Sequence, residues 1–399
     1  MTDYVVLRDL SRPITSSPFE GGLESLEGMI PAGPGEPRVE VEDLRPDDVR
    51  TLVRDPEVRA VAPVMPTALI RPVELEEGEG GEEPPEGQPA WGVTAVGADS
   101  SLRTGAGVLP AVLDTGIDAS HPAFSGVTLV QQDFSGDGDG DVQGHGSHCA
   151  GTVFGRDVDG HRIGVARGVD QALVGKVLGD DGSGDTDMLF RGMLWALQQG
   201  ARVVSMSLGF DFPGLVKRLA DRGWPVDLAT SAALEAYRAN LRMFDAVMGV
   251  VQSQEPFTGG TLVVAAAGNE SRRHVNPDHE IGASLPAAAE GMVSVGALGT
   301  SAEGLVVAPF SNTFPLVAAP GVGVLSAKAG GGLVSFNGTS MATPHVAGVA
   351  CLWWEEVLAS PLPSTAGTVL AKLLATADIT ALAPGGDVAD RGVGIVRAP

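Results

Sequence analysis

The stretch Phe336-Asn337-Gly338-Thr339-Ser340-Met341-Ala342-Thr343-Pro344-His345-Val346-Ala347-Gly348 decides how this chain is read. A glycine and two hydroxyl residues precede an apolar run that reads as a buried helix. Gly338 lets the backbone turn sharply, and Thr339 or Ser340 is placed to cap the helix. Free backbone N–H groups and the positive end of the helix dipole converge there, which suits a developing oxyanion. Taken alone, Ser340 reads as only a capping serine, since caps are common.

Three further stretches shift the balance. The apolar run Val108 to Leu113 reads as a buried parallel strand with Asp114 at its carboxyl end, the edge where active sites of open α/β sheets collect. Gly144-His145-Gly146-Ser147-His148-Cys149 is a glycine turn opening a helix with two histidines. Val263-Val264-Ala265-Ala266-Ala267-Gly268-Asn269 is an apolar strand ending in glycine and asparagine. Together the four stretches resemble the subtilisin-type serine proteases, whose chain order is Asp…His…Ser. The resemblance covers roughly residues 90 to 399. It implies a triad of Asp114, His145 and Ser340, with the Asn269 amide and the Ser340 N–H binding the oxyanion. The chemistry asks for these residue types. Serine is a weak nucleophile that needs an adjacent base, histidine titrates near neutral pH, and a buried carboxylate holds the imidazole.

The expected fold is α/β: a mainly parallel sheet flanked by helices in a three-layer sandwich, with a small α+β N-terminal domain. Residues 1–73 form that first unit. Its short strands lie at Tyr4–Leu7 and Val39–Val41, a helix spans Arg45–Arg54, and two more strands run over Val58–Val64 and Ala68–Val73. Residues 74–90 form an acidic Gly/Pro-rich linker, and residues 91–399 the catalytic domain. The first unit is similar to the back half of subtilisin prodomains, which assist folding and block the cleft. The alternative is a small appendage that stays attached. Cleavage is expected between Val73 and Trp91, where polar linkers are nicked.

The resemblance also places the substrate. Gly182, Ser183 and Gly184 form one edge that pairs with an extended peptide, and Ser207, Leu208 and Gly209 form the other. Phe210 stands where the family has a second glycine, so the pocket wall differs. Ser284 is expected on the floor of the primary specificity pocket, which makes apolar guests better suited than Lys or Arg. Phe210 to Asp227 reads as irregular or short-helical. The helix after it carries Tyr237, Leu241, Phe244, Met248 and Val251 on one face.

The 399 residues carry a formal net charge of −24, against the basic face that nucleic acid or anionic membranes require. The partners expected are a peptide or protein substrate and the chain's own N-terminal unit. No basic-then-apolar leader opens the sequence, no stretch reads as a bilayer span, and two cysteines fit a reducing compartment. The cytoplasm is the expected location, with an unusual export route left open. No cofactor is required for the chemistry. Asp133, Asp137, Asp139 and Asp141 sit on a glycine-rich loop that suits a structural calcium, or is a solvated acidic turn. His145 and His148 have H-x-x-H spacing, but the resemblance accounts for both without zinc. Cys149 reads as a small buried hydrophobe or as a thiol beside the site.

The function read from the sequence is a serine endopeptidase working through an acyl-enzyme. The alternatives are a dedicated processing protease for one partner peptide and a non-catalytic peptide-binding scaffold.

Overall fold

The computed structural model describes residues 2–9, 37–74, 85 and 87–399. Residues 10–36 of the N-terminal unit and most of the linker therefore lie outside the described residues.

The N-terminal unit is an antiparallel sheet in the order β2-β1-β3, from β1 (Thr2–Arg8), β2 (Arg38–Leu44) and β3 (Val58–Pro63), with helix α1 (Pro46–Leu52) between β2 and β3. Val5, Leu7 and Ala62 are fully buried, and they join the same apolar core as the catalytic domain's helices. The expected fourth strand is shorter than its sequence suggests: β4 spans Pro66–Leu69 and ends before Ile70. Residues 87–90 dock on the catalytic domain, where the Ala90 N–H donates to the Arg162 carbonyl at 2.9 Å. The catalytic domain thus recruits the end of the linker.

Chain order then gives α2 (Trp91–Ala95), β5 (Pro110–Asp114), β6 (Thr128–Asp133), α3 (His145–Phe154), β7 (Gln171–Lys176), β8 (Ser183–Asp185), α4 (Thr186–Gln198), β9 (Val203–Met206) and β10 (Leu208–Phe210). Next come α5 (Phe212–Asp221), α6 (Val226–Thr258), β11 (Leu262–Ala266), β12 (Val293–Ser301), β13 (Gly304–Val307) and β14 (Val317–Pro320). The chain closes with β15 (Val324–Ala327), β16 (Leu333–Phe336), α7 (Thr339–Leu358), α8 (Ala366–Thr376) and α9 (Val388–Arg391).

The central sheet has eight strands, ordered β13-β12-β11-β9-β5-β7-β6 with β14 beside β12. Every pairing in it is parallel except β12 with β13. Alternate residues feed opposite faces, as a strand buried on both sides requires. In β5, Val112 faces the core of α3 and α7, while Ala111 and Leu113 face the core of α4 and α6. In β11, Val264 and Val263 divide in the same way.

The face read on α6 is the one that packs: Phe244, Met248 and Val251 are buried. Phe244 meets Phe190 of α4 at 4.5 Å between ring centroids and Phe210 of β10 at 5.6 Å. The segment before α6 is more ordered than its sequence suggests, since α5 is a ten-residue helix. Asn240 of α6 donates its side-chain N–H to the Pro63 carbonyl at 2.9 Å, joining the N-terminal unit to the catalytic domain.

Phe244 ties α6, α4 and the cleft strand β10 together. Phe244→Ala is expected to cost about 3–5 kcal/mol through lost burial and the cavity left behind. Denaturant unfolding in a Ser340→Ala background checks this; a loss below about 1 kcal/mol would mean the site collapses freely.

Candidate active site

Asp114 ends β5 between β7 and β9, and it is completely buried. Its Oδ1 accepts from the Thr115 N–H and from His145 Nδ1, both at 2.8 Å. His145 is the first residue of α3, behind Gly144 at a φ of 88° that favours glycine. A side chain on Gly146 would overlap the Gly116 carbonyl, so α3 can press onto the loop after β5 and set the imidazole over Asp114. Burial alone would push the His145 pKa down. The Asp114 carboxylate overrides this and holds it well above the ordinary histidine value.

Ser340 opens α7, but neither hydroxyl of the Thr-Ser pair caps it. The cap residue is Gly338, with no side-chain cap bond. Thr339 is drawn to Asn269 instead, and Ser340 to the cleft. Pro344 lies inside α7 and has no N–H for the carbonyl of residue 340. That freed carbonyl accepts from the Ser207 hydroxyl at 3.0 Å and from the Cys149 thiol at 3.5 Å. Cys149 also lies 3.7 Å from His145 Nδ1, so one sulfur touches both catalytic elements. Burial raises its pKa, which keeps it a neutral thiol at neutral pH.

The relay inferred from the sequence is interrupted at one joint. The Ser340 hydroxyl donates to the Ile70 carbonyl at 3.1 Å and lies 3.4 Å from the Ser207 carbonyl. His145 Nε2 is buried with no hydrogen-bond partner among the described residues. The cause is the chain's own residue 70, and rotation about the serine Cα–Cβ bond re-aims the hydroxyl.

Asn269 is held for a purpose. Its Oδ1 accepts from the Thr339 N–H and hydroxyl, both at 2.9 Å, which fixes the amide and turns Nδ2 into the cleft. Nδ2 donates to the Arg71 carbonyl at 3.1 Å. Asn312 fastens the loop beneath, accepting from the Glu270 and Ser271 N–H groups and donating to the Ala267 carbonyl. The sequence reading gave Thr339 and Asn312 no part in the site. A polar residue beside a catalytic motif is a weak signal, and only the fold shows what it holds.

The two substrate edges flank a slot one strand wide, which β4 fills. Ala68 pairs with Ser183 and Thr67 with Gly184 on one side; Leu69 pairs with Leu208 and Ala68 with Gly209 on the other. The Leu69 N–H donates to the Gly182 carbonyl at 2.9 Å. Ser207 serves differently from expectation, through its hydroxyl on the Ser340 carbonyl. Past the centre, Val73 exchanges hydrogen bonds with Asn337, N–H to backbone carbonyl and carbonyl to side-chain amide, both 2.8 Å. Ser284 lines the cavity beside Ile70, with its hydroxyl 3.4 Å from the Ala267 carbonyl.

The calcium expectation does not fit the geometry. Asp133 closes its own turn by accepting from the Ser135, Gly136 and Gly138 N–H groups. Asp137 accepts from the Asp180 N–H. Asp141 turns inward and accepts from Thr115, Gly144 and Ser147, bracing the turn that carries His145. These three carboxylates face different partners, and with Asp139 they form no common ligand set among the described residues. His148 Nε2–H donates to the Val324 carbonyl at 2.9 Å, and burial lowers its pKa to about 3.

An Asp–His pair beside a serine at a helix start, with an amide aimed into a slot for extended peptide, defines a serine hydrolase acting on polypeptides. The chain belongs to the subtilase family, whose model matches residues 105–395. It is a serine endopeptidase. It is 35% identical over 254 residues to an intracellular serine protease of Paenibacillus polymyxa, covering 62% of this chain and 67% of that protein. It is 33% identical over 317 residues to alkaline elastase YaB of Bacillus sp. (strain YaB), covering 78% and 67%. A subtilisin-like protease of Trichophyton rubrum is 30% identical over 322 residues, 76% of this chain and 52% of that protein. No helix among the described residues is long and apolar enough to cross a membrane.

Two expectations follow from this geometry. A general base must be neutral, and Asp114 raises the His145 pKa, so activity is lost as pH falls through that raised value. The acid limb of kcat/KM should have its midpoint above 6.5, the ordinary histidine value. A midpoint below it would contradict the ion-pair account. Asn269→Ala should lower kcat by about 10²–10³, the loss known for removing such a donor in serine proteases of this kind. Thr339→Val should lower kcat in the same direction and leave KM little changed, whereas a loss confined to KM would show that Thr339 does not orient the amide.

Proposed function

We propose that the full chain is the latent form of this endopeptidase, held inactive by its own N-terminal unit lying in the cleft as a substrate would. The observation that carries this reading is a mismatch of one peptide bond. The serine hydroxyl addresses the Ile70 carbonyl, while the oxyanion amide holds the Arg71 carbonyl. No single carbonyl has both nucleophile and electrophile. The bond whose carbonyl Asn269 holds precedes Pro72, so its nitrogen carries no hydrogen. The strand is bound along its length and is not poised for attack.

In the active form the roles are these. Ser340 Oγ attacks the scissile carbonyl carbon and passes its proton to His145 Nε2. Asp114 holds the Nδ1–H and offsets the imidazolium charge. Asn269 Nδ2 and the Ser340 N–H stabilise the tetrahedral oxyanion. His145 then gives the proton to the departing amine, and water repeats the sequence on the ester. Gly182–Gly184 and Leu208–Gly209 hold the substrate backbone in the place that β4 occupies here.

Release of the N-terminal unit by cutting between Val73 and Trp91 relieves the block, and intact mass reports it. We also propose a cytoplasmic location, supported by two free cysteines and by the relative named an intracellular serine protease.

Leu69→Pro removes the N–H donated to Gly182 and weakens the strand in the slot. The full chain carrying it should react with a fluorophosphonate at Ser340 at least about 10-fold faster than the parent, the factor that about 1.4 kcal/mol of lost strand binding supplies. Labelling lost in Ser340→Ala identifies the nucleophile. Equal rates for the parent and Leu69→Pro would contradict inhibition by the strand.

A further inference from the structure

Lys176 is the one buried lysine among the described residues, 3% exposed, and no step of the reaction above uses it. It ends β7 at the carboxyl edge of the sheet, with Asp114 of β5 and Asp133 of β6 as its register partners. An ammonium placed there has lost its water and needs oxygen atoms in return. It has two, and they belong to different loops. Nζ donates to the Gly140 carbonyl at 3.2 Å and to Asp180 Oδ1 at 2.5 Å.

Each partner leads to one arm of the active site. Gly140 precedes Asp141, whose carboxylate braces the turn that carries His145. The Gly140 carbonyl also packs on the loop after β5. A side chain on Gly116 would overlap its oxygen and touch Lys176 Cδ, so the lysine stem fills the angle between the two loops. Asp180 stands two residues before Gly182, whose carbonyl holds the Leu69 N–H at 2.9 Å. A second bond joins the same pair of loops, from the Asp180 N–H to Asp137 Oδ2 at 2.9 Å. The acidic loop before His145 is thus latched to the loop that forms the substrate edge, and the ammonium is the buried half of the latch.

We propose that Lys176 is a positioning residue for the endopeptidase: its ammonium locks the substrate edge Gly182–Gly184 to the turn that carries His145. A peptide paired with that edge then meets the base at a fixed place, and small misplacements of bound substrate are costly in rate. The proposal rests on the reading above, in which Gly182–Gly184 receive the substrate backbone, and it names what holds that edge. Lys176→Met separates this role from plain stability. It keeps most of the apolar stem, and it strands no buried charge, because the Asp180 side chain is 41% exposed and turns to water.

The test has two arms. On enzyme titrated for active sites with a fluorophosphonate, kcat/KM is compared for two anilides, one with four residues before the scissile bond and one with a single acetylated residue that cannot reach Gly182. Lys176→Met should lower the value for the long substrate by at least about 10-fold and change the short one by less than about 3-fold. Asp180→Asn should act in the same direction, and the double variant should lose no more than Lys176→Met alone, as expected for one shared contact. An equal loss on both substrates, no loss per titrated site, or additive losses overturn the proposal. The second arm needs no catalysis. In the Ser340→Ala full chain, Lys176→Met should speed amide exchange at Leu69, which is bound to the edge, by at least about 10-fold relative to Val73, which is bound to Asn337. Exchange that is unchanged, or faster by the same factor at both amides, overturns it. If Lys176→Met does not fold, Asp180→Asn carries both arms. If the parent gains nothing from the longer peptide, or Ser340 does not label, the substrate reading fails, and the second arm still decides the lock.

Discussion

Two sheet edges, β8 and β10, face one another across a gap that one extended strand can bridge. Their N–H and C=O groups require a partner, because an unpaired edge inside a cleft is costly and adhesive. That requirement makes the protein a peptide-binding machine before any chemistry is considered. Here β4 satisfies both edges at once, and the same pairing carries Ile70 and Arg71 over the catalytic centre. One strand of the chain's own N-terminal unit thus takes up the hydrogen-bonding capacity of both edges.

The catalytic centre is assembled by local exceptions to ordinary secondary structure. Pro344 deprives the Ser340 carbonyl of its helical donor, and Ser207, between β9 and β10, and Cys149 of α3 supply replacements. Gly146 gives up its side chain so that α3 can close on the loop after β5. Asp141 is buried, which raises its pKa, and four hydrogen bonds from Thr115, Gly144 and Ser147 compensate. Each exception weakens an element slightly and fixes a catalytic side chain in return.

Much of this was legible in the sequence, and the misses share a physical cause. The strand ending in Asp114, the glycine turn at His145 and the amide at Asn269 are short-range patterns, so they could be picked out in the sequence and matched to the family. The slot edges were legible through the family resemblance, and the small residues there suit close backbone approach. The unmade Ser340–His145 bond was not legible, since it depends on Ile70, separated by 270 positions in the chain. The acidic loop misled for a related reason. Composition offers carboxylates, but only the fold shows that Asp133 closes its own turn and that Asp141 accepts from two backbone N–H groups and two hydroxyls. The α6 stripe was readable from its period, because periodicity identifies a buried face.

The most direct measurement is amide hydrogen exchange at Leu69 and Val73 in the full-length Ser340→Ala protein. The account expects both amides to be protected like those of core strand β11, because each donates to a carbonyl of the cleft wall. Exchange at both positions as fast as in an unstructured chain would contradict it.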